Sequence, residues 1–130
     1  MNATCTFEIV TRTELPLDQT DGTILKSVVM AKRFWGDIAG ESAVQMLGYK
    51  TAIVTSEAYL AFERLAVTVA GRTGGFVLRH CAMRTVDWSE GSWKIVPDSG
   101  TGQLAGISGS GTIAFQGDGT AIFDLDYELA

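Results

Sequence analysis

Trp93-Lys94-Ile95-Val96-Pro97-Asp98-Ser99-Gly100-Thr101-Gly102-Gln103-Leu104-Ala105-Gly106-Ile107-Ser108-Gly109-Ser110-Gly111 is the stretch whose reading decides the fold. A strand stops at Pro97, because proline has no N–H to give to a ladder. A glycine-rich connection follows, with Leu104 as its one apolar anchor, and the chain then enters another strand. The segment has no helical period; Thr101–Ala105, flanked by glycines, is at most a single helical turn.

Working outward, period-2 segments separated by turn signals fill the rest of the chain. Strands are read at about Thr4–Leu15, Ile24–Trp35, Asp37–Leu47, Glu57–Ala70, Gly75–Val86, Ser92–Pro97, Gly111–Phe115 and Thr120–Leu129. Asp21-Gly22 and Asp118-Gly119 supply the positive-φ positions of tight hairpin turns. Gly36-Asp37 and Gly71-Arg72-Thr73-Gly74 are read the same way. Eight short strands, mostly joined by hairpins, predict an all-β chain closed into an eight-stranded antiparallel barrel, since closure removes exposed edges. Two packed sheets are the alternative architecture.

The order of several segments resembles a family of small bacterial barrel proteins of unknown function. They are the run quoted above, Phe34–Ser42 across one hairpin, Gly71–His80 across another, and the closing Leu125-Asp126-Tyr127-Glu128-Leu129. The resemblance implies the fold of the allene oxide cyclase barrels and brings no established activity with it.

The 130 residues are expected to form one domain, residues 1–130. Fifteen glycines against two prolines fit many short strands with tight bends. The net charge of −5, with lysines and arginines scattered among carboxylates, argues against nucleic acid as a partner. No stretch approaches the roughly 18 apolar residues of a membrane-spanning helix, so no membrane partner is expected. The N-terminus shows no basic segment followed by an apolar run, so no export signal is read. Cys5 and Cys81 fall in separate strands, consistent with reduced thiols and a cytoplasmic location.

His80 is the single histidine. Alternation sets Phe76, Leu78 and His80 on one face of their strand, taken as the interior, with Arg79 outside. In the preceding strand Arg64 marks the outer face and places Glu63 inside. Reflecting the hairpin about Arg72-Thr73 puts Glu63 opposite Ala82, a diagonal neighbour of His80. Such a pair is either a general acid/base dyad on a cavity wall or two buried polar groups satisfying each other. Phe34, Phe76, Leu78, Trp93 and Tyr127 are expected to line the lumen, as ligand contacts or as core. Ser99–Gly102 lacks the lysine and following helix of a phosphate loop and is read as a hinge. No metal-ligand spacing stands out, and no cofactor is expected.

Two functions follow. A hollow barrel would bind a small apolar molecule in its lumen, with cyclase or isomerase chemistry as an enzymatic version. A filled barrel would act through its outer surface. Leu60, Phe62 and Val77, on predicted outer faces, point to a homo-oligomer in either case.

Overall fold

A computed structural model describes residues 1–129. Among the described residues nine strands follow one another without a helix: β1 (Asn2–Thr20), β2 (Thr23–Gly36), β3 (Ile38–Lys50), β4 (Glu57–Val69), β5 (Arg72–Arg84), β6 (Ser89–Ile95), β7 (Thr101–Gly102), β8 (Ser108–Phe115) and β9 (Thr120–Glu128). Eight of them close an antiparallel barrel in the order β1-β2-β3-β4-β5-β6-β8-β9, with β9 returning to β1. The ninth, β7, is a two-residue addition to the start of β5.

Strands β1, β3 and β6 run past their predicted ends toward one end of the barrel, while β5 and β8 begin earlier than predicted at the other. Ladders between β1 and β9 stop at Glu8–Thr120, yet β1 continues to Thr20 against β2 alone. The seam between β6 and β8 consists of Trp93–Gly111 and Lys94–Ser110. The barrel is therefore sealed at one end, called the base here, and splays into a half-pipe at the other, the mouth. Pro16 sits in the part of β1 that has a single neighbour, where a missing N–H leaves no ladder bond unmade. A register shift at Val10 turns Arg12 and Glu14 onto the inner face.

The β4–β5 hairpin turns on Ala70-Gly71, not on Arg72-Thr73. Both turn residues have positive φ, 50° and 80°, as a two-residue hairpin loop requires. The pairing is thus Val69–Arg72 and onward to Ala61–His80 and Glu63–Leu78. The expected register was displaced, but by an even number of residues, so every side chain stays on its predicted face.

Apolar residues pack the base solid. Phe7, Phe34, Ile38, Leu65, Phe76 and Phe123 are buried there, and Leu125 and Tyr127 complete the wall. A fully buried side chain of this kind contributes about 1.5–3 kcal/mol, so this half supplies the stability of the barrel. The Ser99–Ile107 connection is a stopper in the base. Consecutive i→i+3 bonds from Leu104 to Thr101 and from Ala105 to Gly102 make a single tight turn over Thr101–Ala105, as read. β7 bonds to β5, and Ile107 bonds to Leu104, so the connection is tied down rather than free to act as a hinge. Leu104 and Ile107 are buried in the core. Gly74 permits this, because a Cβ there would collide with the Thr101 carbonyl oxygen.

Candidate functional site

Four polar side chains climb diagonally across the inner face of β2 to β5. Lys32 lies opposite Ser42, Glu63 sits one inward step above the partner of Ser42, and His80 one inward step above the partner of Glu63. All four are buried, Glu63 to 1% exposure. Lys32 Nζ donates to Glu63 Oε1 at 3.2 Å, and Ser42 Oγ donates to Oε2 at 2.5 Å. His80 Nε2 stands 2.8 Å from Oε1 but off the line a hydrogen bond needs, so this contact is one of proximity and charge. Burial alone would push the Glu63 carboxyl up. The His80 ring, the Lys32 ammonium and the Ser42 hydroxyl outweigh it and hold the group below the ordinary glutamate range, so it is ionised at neutral pH. The Lys32 ammonium also lies 4.2 Å from the centre of the Phe7 ring.

Above this cluster the lumen is hollow. A cavity of about 230 Å³ extends toward the mouth. Its apolar wall includes Met30, Val44, Met46, Ala61 and Ile113, and its polar groups are Lys32, His80, Arg12 and Tyr59. Glu63 lies outside this lining. The cluster thus offers the cavity a cation and an imidazole, with the carboxylate held behind them. His80 is further set by Trp93, whose ring packs edge-on at 6.4 Å between centroids.

The structure brings Glu63 and His80 together as expected, and adds Lys32 and Ser42, which sequence reasoning did not select. The signal for them was present: Lys32 alternates with Met30 and Phe34, and Ser42 with Val44. Of the expected ligand contacts, Phe34, Phe76, Leu78 and Tyr127 are packed into the core below the cavity and do not line it. Trp93 is half-buried beside His80 and likewise lies off the lining. The two expected states of the barrel coexist, filled at the base and hollow toward the mouth. A larger hollow of about 610 Å³ lies chiefly on the outer wall, among Leu25, Leu47, Tyr49, Leu60 and Met83, and contains none of the buried cluster. Among the described residues no group of three or more His, Cys, Asp or Glu could hold a metal ion. No described helix is long and apolar enough to cross a membrane.

The sequence pattern of the family described as "Protein of unknown function (DUF3224)" matches residues 3–127, nearly the whole chain and the whole barrel. The chain belongs to this family. A DUF3224 protein of unknown function from Shewanella oneidensis MR-1, known from a crystal structure, has a similar fold with a TM-score of 0.86. The two are 27% identical, and the likeness covers 100% of this chain and 98% of that one. No curated protein matches the chain. Membership in DUF3224 therefore fixes ancestry and fold and leaves chemistry to be argued from the lumen.

Proposed function

We propose that this DUF3224 barrel binds a small, largely apolar molecule in the mouth half of its lumen. The observation that carries the reading is the half-filled interior: an apolar cavity directly above a buried, ionised cluster. Filling that space with side chains would have been straightforward in a barrel of this size. Ligand pockets share this character, apolar walls with a few convergent polar groups. At about 230 Å³ the space is below the roughly 300–1,000 Å³ typical of drug-sized ligands, so the ligand is small. In an enzymatic version His80 exchanges a proton with the ligand and Glu63 orients the ring. The resemblance read from the sequence to the allene oxide cyclase barrels would suggest isomerase or cyclase chemistry by fold alone, and one fold hosts many functions. The test is Ala61→Leu, which fills the cavity next to His80. It should preserve or raise the melting temperature while abolishing the thermal shift given by small apolar compounds. Unchanged shifts in that variant would place the binding elsewhere.

A second reading is favoured by the outer wall of β3 to β5. Leu60 and Phe62 are 63% and 58% exposed, and Leu47, Tyr49 and Met83 adjoin them through the ladder. Arg64 and Glu41 border this patch with opposite charges on neighbouring strands. A two-fold axis through the patch would set each against its opposite on a second copy, so the occupant proposed is another molecule of this chain. Sedimentation equilibrium should give a dimer that Leu60→Glu converts to monomer. A monomeric wild-type protein at high micromolar concentration would dismiss this reading.

A further inference from the structure

The cavity is lined by donors and cations in a protein that is acidic overall. The net charge is −5, yet the lining contains Lys32, Arg12 and His80 and not one aspartate or glutamate. Lys32 has three N–H groups, and one is used, on Glu63. The Trp93 indole lies off this lining, with its N–H toward Tyr59, and is not among the donors the cavity offers. Acceptors are scarce: both Glu63 oxygens are already engaged and face away from the hollow. A buried donor left without an acceptor costs about 1–3 kcal/mol, and a ligand with acceptor oxygens would recover part of it.

Two charge clusters lie at the mouth. On one wall Glu14 is shared by Arg12 at 2.7 Å and Lys26 at 3.1 Å. On the neighbouring wall Glu57 is shared by Arg84 at 2.8 Å and Lys50 at 3.4 Å. Each of these two clusters has one cation in excess, while Asp18, Asp21, Asp87, Glu90 and Asp118 also lie at this end of the barrel.

We infer that the lumen ligand is an anion with an apolar body, a small carboxylic acid whose carboxylate docks on Lys32 and His80. This rests on the reading of the lumen as a small-molecule site and adds the chemical class of what enters it. The apolar body would lie against Met30, Met46 and Ile113, and the carboxylate would take the free Lys32 N–H groups in charge-assisted hydrogen bonds.

The test compares probes of one shape and different charge: phenylacetate, phenylacetamide and phenethylamine, titrated calorimetrically and by the NMR signals of the single histidine. Phenylacetate should bind at least about tenfold more tightly than the amide, the difference made by one charge-assisted contact. Its affinity should fall with added salt, and it should move the His80 signals. In the paired variant Lys32→Met/Glu63→Gln, which removes the buried charges together, acid and amide should bind alike. Equal affinities in the wild-type protein, or tighter binding of the amine, would overturn the carboxylate assignment while leaving an apolar site in place. No binding by any of the three, at concentrations that saturate comparable pockets, would overturn the lumen site itself.

Discussion

Lys32 and Glu63 meet across an intervening strand: β2 and β4 are separated by β3, yet Nζ lies 3.2 Å from Oε1 with both side chains buried. Ser42, on the strand between them, holds the second carboxylate oxygen. The tilt of barrel strands brings residues two positions out of register into contact, and long side chains span the remaining gap.

Removing one partner of this pair should be far worse than removing both. Lys32→Met leaves Glu63 ionised in the core with Ser42 as its one hydrogen-bond donor, and should destabilise the barrel by about 3 kcal/mol. Lys32→Met/Glu63→Gln should recover most of that loss. Urea midpoints of the three proteins check the order, and equal losses for single and double variants would contradict it.

The same carboxylate shapes the acid limb of stability. Glu63 is held below its ordinary range in the folded chain, so its contribution is complete above the unfolded value near pH 4.3. It disappears as the pH falls through the lower folded value. Glu63→Gln has no such ionisation, so its stability should fall less steeply below about pH 4. Glu57, also lowered by its two cations against the upward push of burial, remains in both proteins and sustains a residual slope. Thermal midpoints measured from pH 3 to 7 separate the two curves.

Ala70 occupies a left-handed conformation, φ 50°, that side chains with a Cβ adopt at a cost of roughly 1–2 kcal/mol. Asparagine tolerates it better, and Asn-Gly is the preferred pair for a turn with positive φ at both positions. Ala70→Asn should therefore stabilise the protein by up to about 1 kcal/mol. An unchanged or lower midpoint would contradict the turn geometry.

Gly74→Ala tests the stopper. The added methyl would strike the Thr101 carbonyl oxygen, and either β7 must leave β5 or the base must open. Amide exchange should quicken at Leu104 and Ile107, whose N–H groups bond within the connection. Exchange as slow as in the parent would mean that the contact is dispensable.

The two free cysteines should differ in reactivity. Cys5 is buried against the core, and burial, then the nearby Asp37 and Glu63 charges, push its thiol up to about 12. Cys81 is half-buried on the opposite wall of the barrel, pointing outward. A disulfide reagent near pH 8 should modify one group per native chain and two per denatured chain. Two fast groups in the native protein would place Cys5 outside the core.

The barrel was legible in the sequence because alternation and turn glycines act locally, and they survive a wrong register. Glu63 kept its inward face even though the hairpin turned on Ala70-Gly71, since an even displacement leaves the pleat unchanged. The turn itself was obscured because Ala70 lacks the chemistry of a left-handed position. Lys32 escaped selection for a related reason. A lysine in a strand reads as solvent-facing even where alternation sets it with Met30 and Phe34, and the carboxylate that makes its burial tolerable lies two strands away. The lining of the cavity was also out of reach. Phe34 and Tyr127 face the lumen as read, but the level at which the core ends is set by the Leu104 and Ile107 stopper.

That stopper makes the barrel a blind-ended vessel. A molecule entering at the mouth would have to back out through the same opening, so two competing ligands would share one doorway and could not pass each other. Occupancy becomes a queue of one, and the rate of exchange is governed at the rim by the strands that splay there, far from the residues that hold the fold together.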